Sequence, residues 1–208
     1  MTNSGQTRRI GVLGGTFDPV HNGHHYIANA LRAALDLERV VWVPAGRPPH
    51  KTGQIVSKDL DRLAMLNLAL AGSATDEIST IDIDRSGPSY TADTLEMLAE
   101  RFAPAQLFFL MGEDSLRDLP TWHDPERLLR VAELVVAARP GVDADLESVA
   151  RQVPEVRRRV HLVPTAEIAI SSSEIRQRVR ENRSIHGLVP AAVEAYIRDR
   201  GLFMQRPR

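Results

Sequence analysis

The chain has 208 residues, 26 basic and 27 acidic, a formal net charge of -1 and no cysteine. The length suits one α/β domain or two small ones, and 43% apolar with 25% charged residues excludes a disordered chain. The missing cysteine excludes disulfides, thiol nucleophiles, iron–sulfur clusters and cysteine-held zinc, and the balanced charge argues against a protein that coats nucleic acid.

In chain order, 9–13 reads as a strand, 14–22 as a glycine-containing loop, and a helix follows to about Leu37. A second strand covers 40–43 and stops at Pro44, and 45–56 is a loop carrying Pro48, Pro49 and Gly53. Apolar residues at Leu60, Leu63, Ala64, Leu66 and Leu70 predict a helix over 59–71. Ile81 and Ile83 alternate with polar neighbours, which predicts a third strand over 80–84, broken by Gly87 and Pro88. A helix over 92–102, a strand over 107–111, a short helix over 125–131 and a strand over 134–138 follow. A last strand is expected at 160–163 and a helix at 171–182. Pro190 is placed as a helix N1 residue and Gly201 as a C′ residue, bracketing a final helix.

Strands and helices that alternate, with near-continuous apolar strands, predict a doubly wound parallel sheet covered on both faces. Ligands of such sheets bind at the carboxyl ends of the strands, where strand order reverses. The N-terminus has no h-region of signal-peptide length, and no run approaches the ~20 apolar residues of a membrane span. A cytoplasmic protein without membrane or nucleic-acid partners is therefore expected, and a homo-oligomer is compatible with the sequence. Of the 26 basic residues only Lys51 and Lys58 are lysines, so 24 are arginine, which reads as codon bias.

The loop Gly14-Gly15-Thr16-Phe17-Asp18-Pro19-Val20-His21-Asn22-Gly23-His24 carries the strongest chemical signal. Two glycines let the backbone turn and approach a ligand, neighbouring N–H groups can form an anion nest, and the following helix offers its positive end. The pattern is neither a Walker A loop nor the dinucleotide Gly-x-Gly-x-x-Gly. His21 and His24, three apart, share a face at the helix start, and Gly23 between them blocks nothing. His21 and His25 have the spacing of a zinc pair, but no third ligand accompanies them. Asp18 either holds the turn through its own backbone or meets a ligand directly. Further on, Ser171 and Glu174 have capping-box spacing. Three hydroxyls at that helix start, with Arg176 one turn in, equally suit a phosphate. Ser89 or Thr91 can cap the helix after Pro88.

The joint pattern Gly-Gly-Thr-Phe-Asp-Pro…His-x-Gly-His resembles the HxGH signature of the nucleotidyltransferase superfamily, and within it the bacterial nicotinate-nucleotide adenylyltransferases. The likeness runs from about Ile10 to Phe203. It implies a Rossmann-like α/β fold in one nucleotidyltransferase domain over 1–208, with a catalytic core at about 9–183 and a C-terminal helix at about 188–203. It implies that His21 and His24 contact the ATP phosphates and that Gly14, Gly15, Thr16, Phe17 and Gly23 belong to the ATP site. The stretch from Ile170 to Arg176 resembles the family's Ile-Ser-Ser-Thr-x-Ile-Arg, with Ser173 in place of threonine. Ser172 and Arg176 are the candidates for the β- and γ-phosphates, Arg176 also for transition-state charge.

The middle loops carry the same resemblance. Ser89-Tyr90-Thr91 resembles the segment whose backbone N–H groups take the nicotinate carboxylate, and Trp122 matches the residue that stacks on the pyridine. Two N–H donors at a helix start suit a carboxylate, and a carboxamide would leave one unpaired, which favours the acid. Gly112 and Asp114 fall in the motif that holds the adenosine ribose, and Lys51 is implied near a substrate phosphate, although it also reads as an exposed loop lysine. Glu113 stands where the family often has a small residue, and Asp124-Pro125 where it often has another aromatic. The implied reaction moves AMP from ATP, with Mg²⁺, to nicotinate mononucleotide. A sister enzyme using nicotinamide mononucleotide or phosphopantetheine, or a non-catalytic nucleotide-binding module, are the competing readings.

Overall fold

The computed structural model describes residues 7–47, 57–138, 145–166 and 169–204. Strands β1 (Arg9–Gly15), β2 (Arg39–Pro44), β3 (Asp76–Ile78), β4 (Gln106–Gly112), β5 (Ala132–Ala138) and β6 (Val160–Pro164) pair in parallel as one sheet, ordered β3-β2-β1-β4-β5-β6. The doubly wound sheet expected from the alternation is present, and its order reverses between β1 and β4. A cleft opens beyond the carboxyl ends of those two strands.

Side-chain alternation along each strand feeds two cores. Ile10, Val12, Val41, Val43, Phe109 and Met111 face one layer, formed by α4 (Thr91–Phe102), α5 (Glu113–Asp118), α6 (Pro125–Val131), α7 (Leu146–Gln152) and α8 (Val156–Arg159). Val40, Trp42, Phe108, Leu110 and Val135 face the other, formed by α1 (Asn22–Ala34), α2 (Asp59–Leu70), α9 (Ser172–Arg180) and α10 (Ala191–Asp199). Alternation therefore explains why both faces of the central strands β2, β1, β4 and β5 are largely apolar, whereas the edge strand β6 is partly exposed.

The differences from the expected elements have local causes. Residues 80–84 are not a strand: Ile81–Asp84 is a short helix, α3, and the third strand lies earlier, at β3. Ser79 N–H donates to the Trp42 carbonyl and closes the β2–β3 ladder, after which Ile83 and Asp84 N–H both turn back to the Thr80 carbonyl. The Thr80 hydroxyl also donates to Asp84 at 2.6 Å. Two isoleucines in five residues fit either period, and the turn chemistry decides. α1 ends at Ala34, short of Leu37, because Asp36 adopts φ 50° and Leu37 N–H closes on the Arg32 carbonyl as a Schellman cap. Asn182, at φ 53°, ends α9 the same way with Arg183 N–H on Arg178. Gly201 takes the expected C′ place at φ 59°, whereas Pro190 is the N-cap of α10 and not its first residue. α5, α7 and α8, of six, seven and four residues, are not among the elements expected from the sequence.

Candidate active site

The cleft holds a cavity of about 400 Å³. One wall is the end of β1, with Gly14, Gly15 and Thr16, together with His24 and Ile27 of α1. The opposite wall is Asp82 of α3, the segment Ser89–Thr91, Thr94 of α4, and Trp122 and His123. The end of β4 forms the floor through Phe109, Gly112 and Ser115 just beyond it.

On the first wall, His21 is the N-cap of α1, and its ring stacks on His24 with centroids 3.6 Å apart. The His21 backbone N–H donates to Nδ1 of His24 at 3.2 Å. An accepting Nδ1 places the proton of the neutral ring on Nε2, so His24 enters the cavity wall as a hydrogen-bond donor. His21 itself is buried, and its Nδ1 has no partner among the described residues. Burial, and then the charge of neighbouring His25, push its pKa down to about 4, so it is neutral at pH 7. The Phe17 ring meets His24 edge-on at 5.0 Å and is 1% exposed, which makes it a support behind the loop.

The loop is fastened from two further elements. Arg176 Nη1 donates to the Asp18 carbonyl at 2.7 Å and Nη2 to Ser173 Oγ at 3.1 Å. Ser172 Oγ donates to the Pro19 carbonyl at 2.9 Å, so its single hydroxyl proton is already used. What Ser172 retains for an anion is its backbone N–H in the first turn of α9. That helix begins as the capping spacing predicts, with Ser171 Oγ accepting from Glu174 N–H at 3.1 Å. From α2, Arg62 Nη1 donates to the Thr16 carbonyl at 2.7 Å, and Nη2 pairs with Asp59. Asp18 accepts from Ser57 N–H at 3.2 Å and does not line the cavity. Its geometry is that of a residue that holds the turn.

The second wall is organised around charges. Asp82, 6% exposed, accepts from Thr94 Oγ1 at 2.6 Å and from Arg85 Nε at 3.0 Å. Arg85 continues to the Tyr90 carbonyl at 3.3 Å and to Asp93 at 3.5 Å, and Asp93 pairs onward with Arg127. Ser89 Oγ accepts from the N–H groups of Gly46 and Arg47, both at 3.0 Å, tying the loop after β2 to the start of α4. Gly46 is required there, since a Cβ would fall 2.1 Å from the Asp82 carbonyl. Tyr90 is the N-cap of α4 and stacks on His123 at 4.1 Å, and Trp122 meets Phe109 edge-on at 5.9 Å. Asp124, followed by Pro125, caps α6: Asp124 Oδ1 accepts from Arg127 N–H at 3.1 Å.

Of the residues singled out from the sequence, Gly14, Gly15, Thr16, His24, Tyr90, Thr91, Gly112 and Trp122 thus line one cavity. Phe17, Asp18, His21, Gly23, Ser172 and Arg176 lie behind or beside its first wall, and Ile170 packs half-buried on the α1-side core. Asp114 is exposed and pairs with Arg117 at 3.2 Å, so Ser115 and not Asp114 reaches the cavity here. Lys51 lies outside the described residues. Sequence reasoning missed Arg62, Asp82 and Arg85. Asp82 was hidden by the strand assignment, and the i, i+3 spacings of Asp59 to Arg62 and Asp82 to Arg85 were the available signal.

Known proteins are similar to this chain in sequence and in fold. The cytidylyltransferase-like family profile matches residues 12–178. A Thermomicrobium roseum protein named "Probable nicotinate-nucleotide adenylyltransferase" is 50% identical over 195 residues, covering 94% of this chain and 91% of its own. One of the same name from Moorella thermoacetica is 44% identical over 203 residues, covering 96% and 93%. The fold matches Plasmodium falciparum nicotinic acid mononucleotide adenylyltransferase, solved with NaAD, at a TM-score of 0.75 and 18% identity, covering 94% of this chain and 97% of that one. The chain belongs to the cytidylyltransferase-like family and, within it, to the nicotinate-nucleotide adenylyltransferases.

Proposed function

We infer that the chain transfers the adenylyl group of ATP to nicotinate mononucleotide, giving nicotinate adenine dinucleotide and pyrophosphate on the way to NAD. The observation that carries this reading is the cavity at the strand-order reversal. An anion-type loop with His24 forms one wall, and an aromatic-lined helix start forms the other. In the reaction a phosphate oxygen of the mononucleotide attacks the α-phosphorus of ATP, and the bond from that phosphorus to the bridging β-oxygen breaks. The nucleophile is already anionic, so the protein needs to position the two substrates and stabilise charge on the leaving pyrophosphate.

The Gly14–Thr16 backbone, the Nε2–H of His24 and the first turn of α1 suit the triphosphate. His21 supports that ring, and Arg176 and the Ser172 N–H stand at the next helix start for the outer phosphates. The N–H groups that follow Tyr90 suit the pyridine carboxylate, with Trp122 against the ring. Gly112 leaves room for the adenosine beside β4. Among the described residues no group of three or more histidine, aspartate or glutamate side chains gathers as a metal cage. The reading takes Mg²⁺ as arriving with the ATP substrate, on the triphosphate's own oxygens. No helix among the described residues is long and apolar enough to cross a membrane.

The test is pyrophosphate release from Mg-ATP with three acceptors: nicotinate mononucleotide, nicotinamide mononucleotide and phosphopantetheine. Release is expected to be fastest with the first. Faster release with either of the others, or none with any, overturns the reading.

A further inference from the structure

Among the described residues lining the cavity, Asp82 alone carries a carboxylate. It stands in the same wall as Tyr90 and Thr91, where an anionic ring substituent would have to be received. A bare carboxylate at that position would repel such a substrate, because like charges in a dry pocket interact strongly. The side chain is 6% exposed, so water screens it little.

The chain answers this with Arg85, which does not line the cavity itself. Its Nε donates to Asp82 at 3.0 Å and its Nη1 lies 3.5 Å from Asp93. Its Nη2 donates to the Tyr90 carbonyl at 3.3 Å and lies 3.5 Å from Thr94 Oγ1. The guanidinium thus neutralises the one anion of the wall from behind. By the same contacts it fixes the peptide that begins α4. Resting on the reading of the substrate given above, we propose that the Asp82–Arg85 pair sets the preference of this pocket for a pyridine carboxylate over a carboxamide. Arg85 acts as a positioning and charge-balancing residue that touches no substrate.

The experiment measures KM and kcat for nicotinate mononucleotide, nicotinamide mononucleotide and ATP in four proteins: the parent, Arg85→Gln, Arg85→Lys, and Arg85→Gln with Asp82→Asn. Arg85→Gln is expected to raise KM for the acid about tenfold while leaving KM for the amide and for ATP unmoved, as loss of one compensating charge implies. Arg85→Lys keeps the charge and most of the preference. Adding Asp82→Asn to Arg85→Gln removes the exposed anion and restores most of the acid preference. If Arg85→Gln does not fold, Asp82→Asn alone decides: with Arg85 retained it should lower KM for the acid and raise the acid-to-amide ratio. An unchanged ratio in that variant, or equal losses on acid and amide in Arg85→Gln, overturns the proposal. A parent protein that discriminates normally while every variant keeps its ratio refutes only this inference. A parent that uses neither pyridine nucleotide refutes the proposed function and this inference with it.

Discussion

The two walls of the cleft fasten their loops by different chemistry. The β1 wall is held through main-chain carbonyls: Arg62 reaches Thr16, Arg176 reaches Asp18, and Ser172 reaches Pro19. Its histidine pair is stacked, and His21 is neutral at pH 7. The α4 wall is held through carboxylates, in the chain Asp82, Arg85, Asp93 and Arg127. Among the described lining residues the first wall carries no carboxylate, and the second carries one, Asp82, paired with Arg85. A net charge of -1 over the chain conceals both, since each is local.

The sharpest way to separate the walls is His24→Ala. Removing a donor aimed at developing negative charge is expected to lower kcat by roughly a hundredfold or more, the usual cost of losing such a group. The loss should be equal with acid and amide acceptors, because the proposed function puts His24 on the ATP side, and thermal unfolding should change little. Normal turnover, checked by pyrophosphate release, would remove His24 from the site. Next in size is Arg62→Met. This side chain is 1% exposed, and its loss removes the hydrogen bond it donates to the Thr16 carbonyl. A destabilisation of about 2 kcal/mol is expected from loss of this buried hydrogen bond to a charged group, since the partner Asp59 is half exposed and can be resolvated. KM for ATP should rise, with KM for the pyridine nucleotide unmoved. A matching rise in both would mean that α2 supports the whole cleft and not one wall.

What the sequence could reveal follows the same division. The β1 loop was legible because Gly-Gly, His-x-Gly-His and Ser-Ser-Ser-Glu-Ile-Arg each combine several rare choices over a short span. Its support from α2 was not. In α2 the apolar pattern suggests Leu60 as a core residue, yet Leu60 is 78% exposed and Arg62 is buried in its stead. An arginine that spends its donors on a carbonyl 46 residues away leaves no local pattern. Asp82 was lost because two alternating isoleucines imitate a strand, and the strand reading would have turned that carboxylate away from the site. Burial against partners distant in sequence is fixed by tertiary packing, which periodicity does not encode.

The smallest expected effect concerns pH and again tests the β1 wall. His21 has its folded pKa lowered from 6.5 to about 4, chiefly by burial. Above pH 6.5 the ring is neutral both folded and unfolded, and it contributes no pH dependence. Between pH 6.5 and about 4 the unfolded chain binds a proton that the folded one refuses, so stability falls as the pH falls. One unit below the unfolded value the loss is about 1.4 kcal/mol, and below about 4 the contribution levels off. His21→Asn keeps a good N-cap residue and removes the titration. Denaturant unfolding at pH 7.5 and 5.5 should therefore show a smaller loss of stability in His21→Asn than in the parent protein. Equal losses would mean that His21 becomes protonated in the folded protein as readily as in the unfolded chain, and that the β1 wall is not the neutral one.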